Sequence, residues 1–223
     1  MEGTRVERIA SGRYGRIGKR TKLTREQAMA AIQDAAIIEF SQHGFTGAST
    51  QAIAERAGLT KSQLHYYIDG KESLFDEILS HLLEIWAELS EFDEHHADPA
   101  KALTRYVRRK LEFSLEQPEL SRIFTTEMLS GGHRLKCHWP RMIELCERKL
   151  MVIDGWIAEG KLVPMNSRLL LMHIWALTQY YADYALQAEK MLGEPLDTPP
   201  RRAELIDELS AFVLRGCGIA PLT

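Results

Sequence analysis

The segment from 52 to 75, AIAERAGLTKSQLHYYIDGKESLF, carries two helix-ending signals close together, and these signals constrain the fold most. Gly58 is placed to take the left-handed conformation that ends a helix, and the Asp-Gly-Lys run at 69–71 forms the next break. Only a short helix, beginning near Thr60, fits between the two breaks. Another short helix precedes Gly58, because the hydroxyl residues at 49–50 can cap its first turn. The sequence therefore predicts two short helices joined by a glycine-containing turn.

The rest of the chain also has helical patterns. A first helix begins at the N-cap Thr24 and stops at Gly44, and an amphipathic helix runs from Lys71 to about Phe92. Later helical patterns, separated by Pro- and Gly-containing breaks, cover 99–116, 118–130, 138–160, 167–191 and 201–215. No segment alternates at period two, so the predicted fold class is all-α.

Two short helices joined by such a turn fit a helix-turn-helix, in which the second helix enters the major groove of DNA. The apolar residues needed to pack the two helices together are Ile53, Ala54, Ala57, Leu59 and Leu64. The polar residues left on the second helix are Thr60, Lys61, Ser62, Gln63, His65 and Tyr66. Short hydroxyl side chains suit phosphate oxygens, and Lys61 and Gln63 are long enough for base edges. A helical hairpin with a solvated polar face is the alternative that spacing alone leaves open.

The N-terminal arm, residues 1–23, is strongly basic. Residues 1–25 carry eight Lys or Arg against two Glu, a balance of +6, so the remainder of this chain of net charge −3 sums to −9. An arm rich in Gly and Arg cannot bury a core, and we expect it to be disordered when free. Beside a DNA-binding motif its charge favours phosphate contact. The alternative is a solubilising tail.

The run GFTGASTQAIAERAGLTKSQLHYYIDGKESLF at 44–75 resembles the N-terminal domain of the TetR family of bacterial repressors, whose signature is GxxxTxxxxIAxxAGxSxxxLYYYFxxKExL. The resemblance implies a three-helix DNA-binding domain at 24–75. The chain departs from the signature at His65, where Tyr is commoner, and at Ile68, where Phe is usual. The resemblance assigns DNA contacts to Thr50, Gln51, Lys61, Ser62, Gln63, His65, Tyr66 and Lys71: the first two and Lys71 face phosphates, residues 61–63 face the groove, and residues 65–66 flank the backbone.

By the same resemblance, residues 76–223 form a helical ligand-binding and dimerisation domain. Segments at 83–87, 108–132, 154–162 and 173–187 are similar to a subgroup of the family that regulates pyrimidine utilisation and responds to uracil and thymine. The implied effector is therefore a pyrimidine. Another small heterocycle is the alternative, since relatives with similar scaffolds can differ in ligand.

Four residues are candidates for binding that ligand. Trp175 and Gln179 lie four residues apart on one helical face, so an indole and a carboxamide can meet one molecule. The carboxamide offers both donors and an acceptor to a uracil-like edge. Trp86 can stack on a ring and lies on the helix that leaves the DNA-binding domain, and Tyr180 is a further candidate. Core filling is the alternative for both tryptophans.

Other classes of function have little support in the sequence. No nucleophile motif, paired carboxylates or zinc-type ligand set occurs, so we expect no catalytic residues, no metal and no cofactor. The apolar run at 169–188 is interrupted by polar residues and predicts a buried helix rather than a membrane span. Three cysteines without a CxxC pattern, and an N-terminus without a signal-peptide pattern, favour the cytoplasm.

These observations predict a homodimeric repressor that binds a roughly palindromic operator and is released by a small molecule. The helical patterns at 167–191 and 201–215 would form much of the dimer interface. Two alternatives stay open at this point. The chain could act as an activator, or it could be an all-α small-molecule-binding protein or enzyme with an incidental helix-turn-helix.

Overall fold

The computed structural model describes residues 24–89 and 98–220, and within them it contains helices and no strand. The all-α fold class is therefore confirmed. The helices are α1 (Arg25–Gly47), α2 (Thr50–Arg56), α3 (Lys61–Tyr67), α4 (Gly70–Leu89), α5 (Pro99–Glu116), α6 (Pro118–Leu129), α7 (Trp139–Ala158), α8 (Ser167–Asp183), α9 (Ala185–Leu192) and α10 (Pro199–Gly216). A 3-10 turn at His133–Leu135 lies between α6 and α7.

Local capping signals place the ends of several helices. Thr24 caps α1 in a reciprocal capping box with Gln27, as the sequence predicts. Gly44 breaks α1 with a φ of 63°, in the left-handed region that favours glycine. Asp98 caps α5 ahead of Pro99, which suits the first helical position because its missing N–H has no partner there.

The segment predicted as one helix at 167–191 is two helices, and this prediction was wrong. The helix α8 ends at Asp183, Tyr184 has a φ of −115° and a ψ of 30°, and α9 begins at Ala185. No Gly or Pro marks this break, so the apolar pattern continues across it and only the backbone reveals it. The predicted continuation of α4 to Phe92 and the basic arm at 1–23 lie outside the described residues.

Two clusters of buried side chains form the core. The N-terminal cluster joins α1 to α4, and it also takes Phe113 from α5 together with Leu120 and Ile123 from α6. The C-terminal cluster joins α5, α7, α8, α9 and α10. The helices α5 and α6 therefore tie the first four helices to the rest of the chain, and α4 itself crosses the domain boundary predicted at 75–76.

The apolar run at 169–188, which spans α8 and the start of α9, contributes to this core. Leu171, Ile174 and Ala182 are buried on one face of α8. Across residues 24–89 and 98–220, no helix combines the length and the apolar character needed to cross a membrane.

Candidate DNA interface and ligand cavity

The helices α2 and α3 are built by contacts between near neighbours in the sequence. The Ser49 hydroxyl caps α2 by accepting from the N–H groups of Gln51 and Ala52 at 3.2 and 3.5 Å. Gly58 has a φ of 71° and turns the chain toward α3. The hydroxyl of Thr60 then caps α3, accepting from the Gln63 N–H at 3.2 Å. The apolar residues predicted to pack these two helices are buried, apart from the half-buried Leu59.

The polar residues of α3 and its cap form one exposed surface, which we call the reading surface: Thr60, Lys61, Ser62, Gln63, His65 and Tyr66. The Tyr66 side chain is 77% exposed and meets the Tyr67 ring edge-on, with the centroids 5.3 Å apart. Because Leu64 is fully buried, the helix is held by its apolar face while this polar face is turned to solvent. The surface thus has the donors and hydroxyls that suit DNA phosphates and bases.

Two glutamines predicted to contact DNA already have hydrogen-bond partners in the fold. The Gln63 side-chain oxygen accepts from the Thr60 N–H at 2.9 Å, completing a capping box. The Gln51 side-chain amide donates to the Glu55 carboxylate at 2.6 Å. Gln63 therefore keeps its amide N–H groups for a base edge, whereas a bidentate contact with adenine needs its oxygen as well.

Lys71, predicted to capture a phosphate, ties the start of α4 to the end of α1. Its ammonium donates to the carbonyls of Phe45 and Ala48 at 2.9 and 3.0 Å and lies 4.5 Å from the Phe45 ring centroid. An ammonium has three N–H donors, so a phosphate contact would use the third. The main visible effect of Lys71 is to fix the orientation of α4 relative to α1.

A cavity of about 660 Å³ lies among α4, α5, α6, α7 and α8. Most of its lining is apolar, and the large side chains there include Leu83, Trp86, Phe124, Met128, Trp139, Leu145 and Trp175. Its size is within the range of sites that bind small organic ligands. It lies at the far end of α4 from Lys71.

The two tryptophans of the cavity differ in their hydrogen bonds. The Trp175 indole N–H donates to the Tyr106 hydroxyl at 2.6 Å. The Trp86 ring packs edge-on against Phe124 and Phe113, with centroids 4.7 and 6.1 Å away. Its indole nitrogen is buried and has no acceptor within the part of the chain that the structure describes.

Part of the cavity wall belongs to a hydrogen-bond network, which we call the amide network: Ser121, Thr125, Gln179 and Asp183. All but Ser121 line the cavity. The Gln179 amide nitrogen donates to the Thr125 hydroxyl at 3.1 Å and to the Asp183 carboxylate at 3.2 Å. The Gln179 oxygen accepts from the Ser121 hydroxyl at 3.2 Å, and the Thr125 hydroxyl donates to Asp183 at 2.9 Å. Both N–H groups of Gln179 are used, and one lone pair of its oxygen is left for a ligand.

Two lysines also line the cavity, Lys110 of α5 and Lys149 of α7, and their charge is opposite to that of Asp183. We call them the lysine pair. These residues are only 6% and 8% exposed. The Lys110 ammonium lies 4.1 Å from the Trp86 ring centroid, and the Lys149 ammonium lies 6.0 Å from the Tyr106 centroid. Burial, followed by repulsion from Lys149, lowers the pKa of Lys110 to about 7, and burial also lowers the pKa of Lys149.

Two helices connect the cavity to the N-terminal helices. The helix α4 carries Lys71 at one end and Trp86 at the other. The helix α6 carries Phe124 in the cavity wall and packs along α1, where an added Cβ at Gly44 would approach the Thr126 methyl at 3.1 Å. Both helices therefore contact α1, which in turn packs against α2 beneath the reading surface.

Two family models and a known transcriptional regulator are similar to this chain. A family model described as "Bacterial regulatory proteins, tetR family" matches residues 32–78, and a model described as "YcdC-like protein, C-terminal region" matches residues 79–220. The HTH-type transcriptional regulator RutR of Escherichia coli (strain K12) is 36% identical over 210 residues, covering 93% of this chain and 98% of RutR. The chain belongs to the TetR family.

Two solved structures share the fold of this chain. AibR in complex with isovaleryl coenzyme A and operator DNA superimposes with a TM-score of 0.65, at 15% identity, over 83% of this chain and 97% of that one. The TetR regulator PfmR from Thermus thermophilus gives a TM-score of 0.64 at 20% identity, over 83% and 97%. TetR-family proteins are ligand-responsive transcriptional regulators rather than enzymes, and they bind operator DNA and small-molecule effectors, typically as dimers.

Within this TetR-family chain, the structure brings together three of the four predicted ligand residues. Trp86, Trp175 and Gln179 all line the cavity, although Gln179 is held by the amide network. Tyr180 is not among the lining residues. Its hydroxyl donates to Gln187 at 3.3 Å, and its ring stacks on Tyr184 with the centroids 5.4 Å apart. Tyr180 follows Gln179 on the helix and therefore projects from a different face.

The lysine pair was missed in the sequence, although a signal for it exists. Lys110 lies three and four residues after Val107 and Tyr106, which are both buried, so it falls on the apolar face of α5. Lys149 is similarly placed before Leu150 and four residues before Ile153 on α7. A lysine on an apolar helical face is rarely fully buried unless it has a partner. The positions of Lys110 and Lys149 on such faces are therefore the sequence signal for the lysine pair.

Proposed function

We propose that the chain is a homodimeric repressor that binds a roughly palindromic operator and is released when a pyrimidine-like molecule occupies the cavity. The observation that carries this proposal is the span of α4, which links Lys71, bonded to the end of α1, to Trp86 in the cavity wall. The proposal divides the chain into a basic arm at 1–23, a DNA-binding domain at 24–75 and a ligand-binding and dimerisation domain at 76–223. As a DNA-bound regulator it would act in the cytoplasm.

The proposed DNA contacts are those of the reading surface together with Thr50, Gln51 and Lys71. Lys61 and Ser62 are exposed side chains at the start of α3, where a recognition helix meets base edges. His65 and Tyr66 lie one turn further along and suit the flanking phosphates. The arm at 1–23 would add phosphate contacts through its charge.

Exposed apolar side chains on the last helices support dimerisation through that face. They include Leu169 on α8, Leu186 and Met191 on α9, and Phe212 on α10. Soluble monomers rarely expose such side chains in quantity, and a two-fold dimer would cover them. The dimer would present two reading surfaces, which implies two half-sites spaced by a whole number of helical turns.

The pyrimidine part of the proposal rests on the flat aromatic lining of the cavity. Trp86, Trp175 and Phe124 offer ring faces and edges to a planar heterocycle, and the free lone pair of Gln179 can accept from a ring N–H. A structure of the same fold, AibR, was solved with isovaleryl coenzyme A and operator DNA in one complex, so this fold can hold a ligand and DNA.

The mechanism is a shift between two arrangements of α4 and α6. A ligand that binds the DNA-incompetent arrangement more tightly shifts the population by its difference in affinity between the two states. Filling the cavity presses on Trp86 and Phe124, and the displaced helices change the separation of the two reading surfaces. Coupling of this kind in proteins is typically about 5- to 150-fold in affinity.

The test is a binding assay with the DNA upstream of the protein's own coding region, in competition with unrelated DNA. We expect specific binding that weakens steeply with salt and that uracil or thymine releases. Lys61→Ala should weaken binding, whereas Lys101→Ala, at an exposed lysine of α5 outside the proposed DNA contacts, should not. Specific binding that neither pyrimidine releases would contradict the effector, and no specific binding would contradict the repressor.

A further inference from the structure

The donors and acceptors of the cavity are unevenly distributed. The acceptors belong to the amide network, where both Asp183 oxygens already accept hydrogen bonds and the Gln179 oxygen keeps one free lone pair. The donors that remain are the ammonium groups of Lys110 and Lys149 and the indole N–H of Trp86. A ligand that satisfies this cavity must therefore supply acceptors.

The lysine pair also lacks a counter-ion from the protein. No carboxylate oxygen of residues 24–89 and 98–220 lies within 4.0 Å of either ammonium, and their neighbours are the ring faces of Trp86 and Tyr106. Aromatic faces stabilise a cation only partly when it is removed from water. Two buried cations on the lining of one cavity are costly unless something binds there that compensates their charge.

The volume of the cavity leaves room for more than a bare ring. About 660 Å³ is in the middle of the range for ligands of drug size, whereas a pyrimidine base has only a handful of non-hydrogen atoms. A substituent on the ring can therefore reach the lysine pair while the ring packs against the tryptophans.

We propose that the effector is an anion, a flat ring that carries a carboxylate, with the ring against Trp86 and Trp175 and the carboxylate on Lys110 and Lys149. This inference rests on the proposed function, since it names the chemical class of the ligand for the same cavity. A carboxylate has two oxygens and accepts from both ammonium groups at once.

Binding of this anion also explains how occupancy reaches α4. The Lys110 ammonium lies over the Trp86 ring, and Trp86 is on the helix that runs to the reading surface. When Lys110 turns to the carboxylate, its contact with the Trp86 ring is exchanged for a charged hydrogen bond. The position of Trp86 then depends on the ligand itself as well as on the filling of the cavity.

The experiment is calorimetric titration of the full-length protein with matched pairs of ligands that differ only in charge. The probes are uracil-6-carboxylate and uracil-6-carboxamide, benzoate and benzamide, and 2-naphthoate and 2-naphthamide. We expect at least one carboxylate to bind ten or more times as tightly as its carboxamide. Carboxamides that bind as tightly as the carboxylates, or a panel in which no carboxylate binds, would overturn the proposal.

Variants of the lysine pair make the test specific to the site. Lys110→Met and Lys149→Met should each reduce the preference for carboxylate over carboxamide to about threefold or less, while Lys101→Met should retain it. Circular dichroism confirms that each variant is folded. A preference that survives in both buried-lysine variants would place the anion elsewhere and overturn the inference.

Operator release separates this inference from the proposed function. If a carboxylate binds through the lysine pair but does not release DNA, the anion site stands and the repressor mechanism fails. If uracil-6-carboxylate releases DNA from the wild type, from Lys110→Met and from Lys149→Met equally well, the repressor mechanism stands and the anion site fails.

Discussion

Polar side chains are exposed to solvent on the reading surface, whereas the two lysines of the cavity are buried. On α3, Lys61, Ser62 and His65 are exposed, and their charge or dipole costs little because water surrounds it. In the cavity, Lys110 and Lys149 are buried against aromatic rings. The first arrangement suits a polyanion that is held by many weak contacts, which salt screens. The second selects one small molecule, because a ligand that fails to match the buried groups leaves them unsatisfied.

This contrast predicts different costs of substitution in the two regions. Side chains on the reading surface can change with small effects on folding and large effects on DNA binding. In the absence of ligand, replacing a lysine of the lysine pair should increase the free energy of unfolding, because it removes the cost of burying a charge.

The largest effect is expected from Leu64→Ala, beneath the reading surface. Leu64 is fully buried, so the variant should lose about 3 to 5 kcal/mol of unfolding free energy through lost burial and the remaining cavity. Urea unfolding measures this loss, and operator binding should fail with it. The exposed neighbour Ser62 provides the control, since Ser62→Ala should change the stability by less than about 0.5 kcal/mol. A small loss at Leu64 would show that α3 does not depend on its apolar face.

The next effect is a gain of stability in Lys110→Met without ligand. Because the pKa of Lys110 in the folded protein is lowered to about 7 from 10.5, the unfolded chain binds more protons between these values. Wild-type stability is therefore reduced most at or below pH 7 and recovers as the pH rises toward 10.5. We expect Lys110→Met to gain on the order of 3 kcal/mol at pH 6, measured by urea unfolding, and progressively less at higher pH. A loss of stability at pH 6 would contradict the account.

The affinity for a ring carboxylate should depend on pH through the same group. Above the pKa of Lys110, a proton must be taken up before the anion binds, so the dissociation constant should rise up to about tenfold per pH unit. The other titratable groups that line the cavity are Lys149, Cys146, Asp183 and Tyr106. Calorimetry from pH 6 to 9 measures this dependence, and Lys110→Met should flatten it. A flat profile in the wild type would argue against a charged Lys110 in the complex.

The smallest effect is expected from Thr60→Ala at the cap of α3. The variant loses the hydroxyl that accepts from the Gln63 N–H, so it should lose about 1 kcal/mol of unfolding free energy. Thr60→Ser keeps the hydroxyl and should lose only a few tenths of that value. Thermal unfolding compares the two variants. Equal losses would show that the Thr60 methyl group matters more than the cap.

The parts of the fold that follow from local chemistry were readable from the sequence. Thr24, Ser49 and Thr60 each cap a helix through contacts within three residues, and Gly58 ends α2 through its own backbone. The break at Tyr184 depends on no such signal, so the sequence did not show it. Local patterns determine where most helices begin, and tertiary packing determines where some of them end.

The cavity was only partly readable because its polar contacts join distant parts of the chain. Trp175 and Gln179 could be paired from their spacing, but Gln179 meets Ser121, which is 58 residues away in the sequence. Lys110 and Lys149 lie on different helices, and no spacing rule relates them. The sequence therefore identified the aromatic part of the site and missed its charge.

In the proposed mechanism, occupancy of the cavity controls DNA binding through Trp86 and α4. The most direct measurement is the operator dissociation constant, by fluorescence anisotropy at fixed salt, with and without saturating uracil-6-carboxylate, for the wild type and Trp86→Leu. We expect the ligand to weaken operator binding at least about fivefold in the wild type. We expect this factor to fall toward one in Trp86→Leu, while calorimetry still detects the ligand. An operator affinity that stays the same when calorimetry shows the wild-type cavity to be filled would rule out this mechanism.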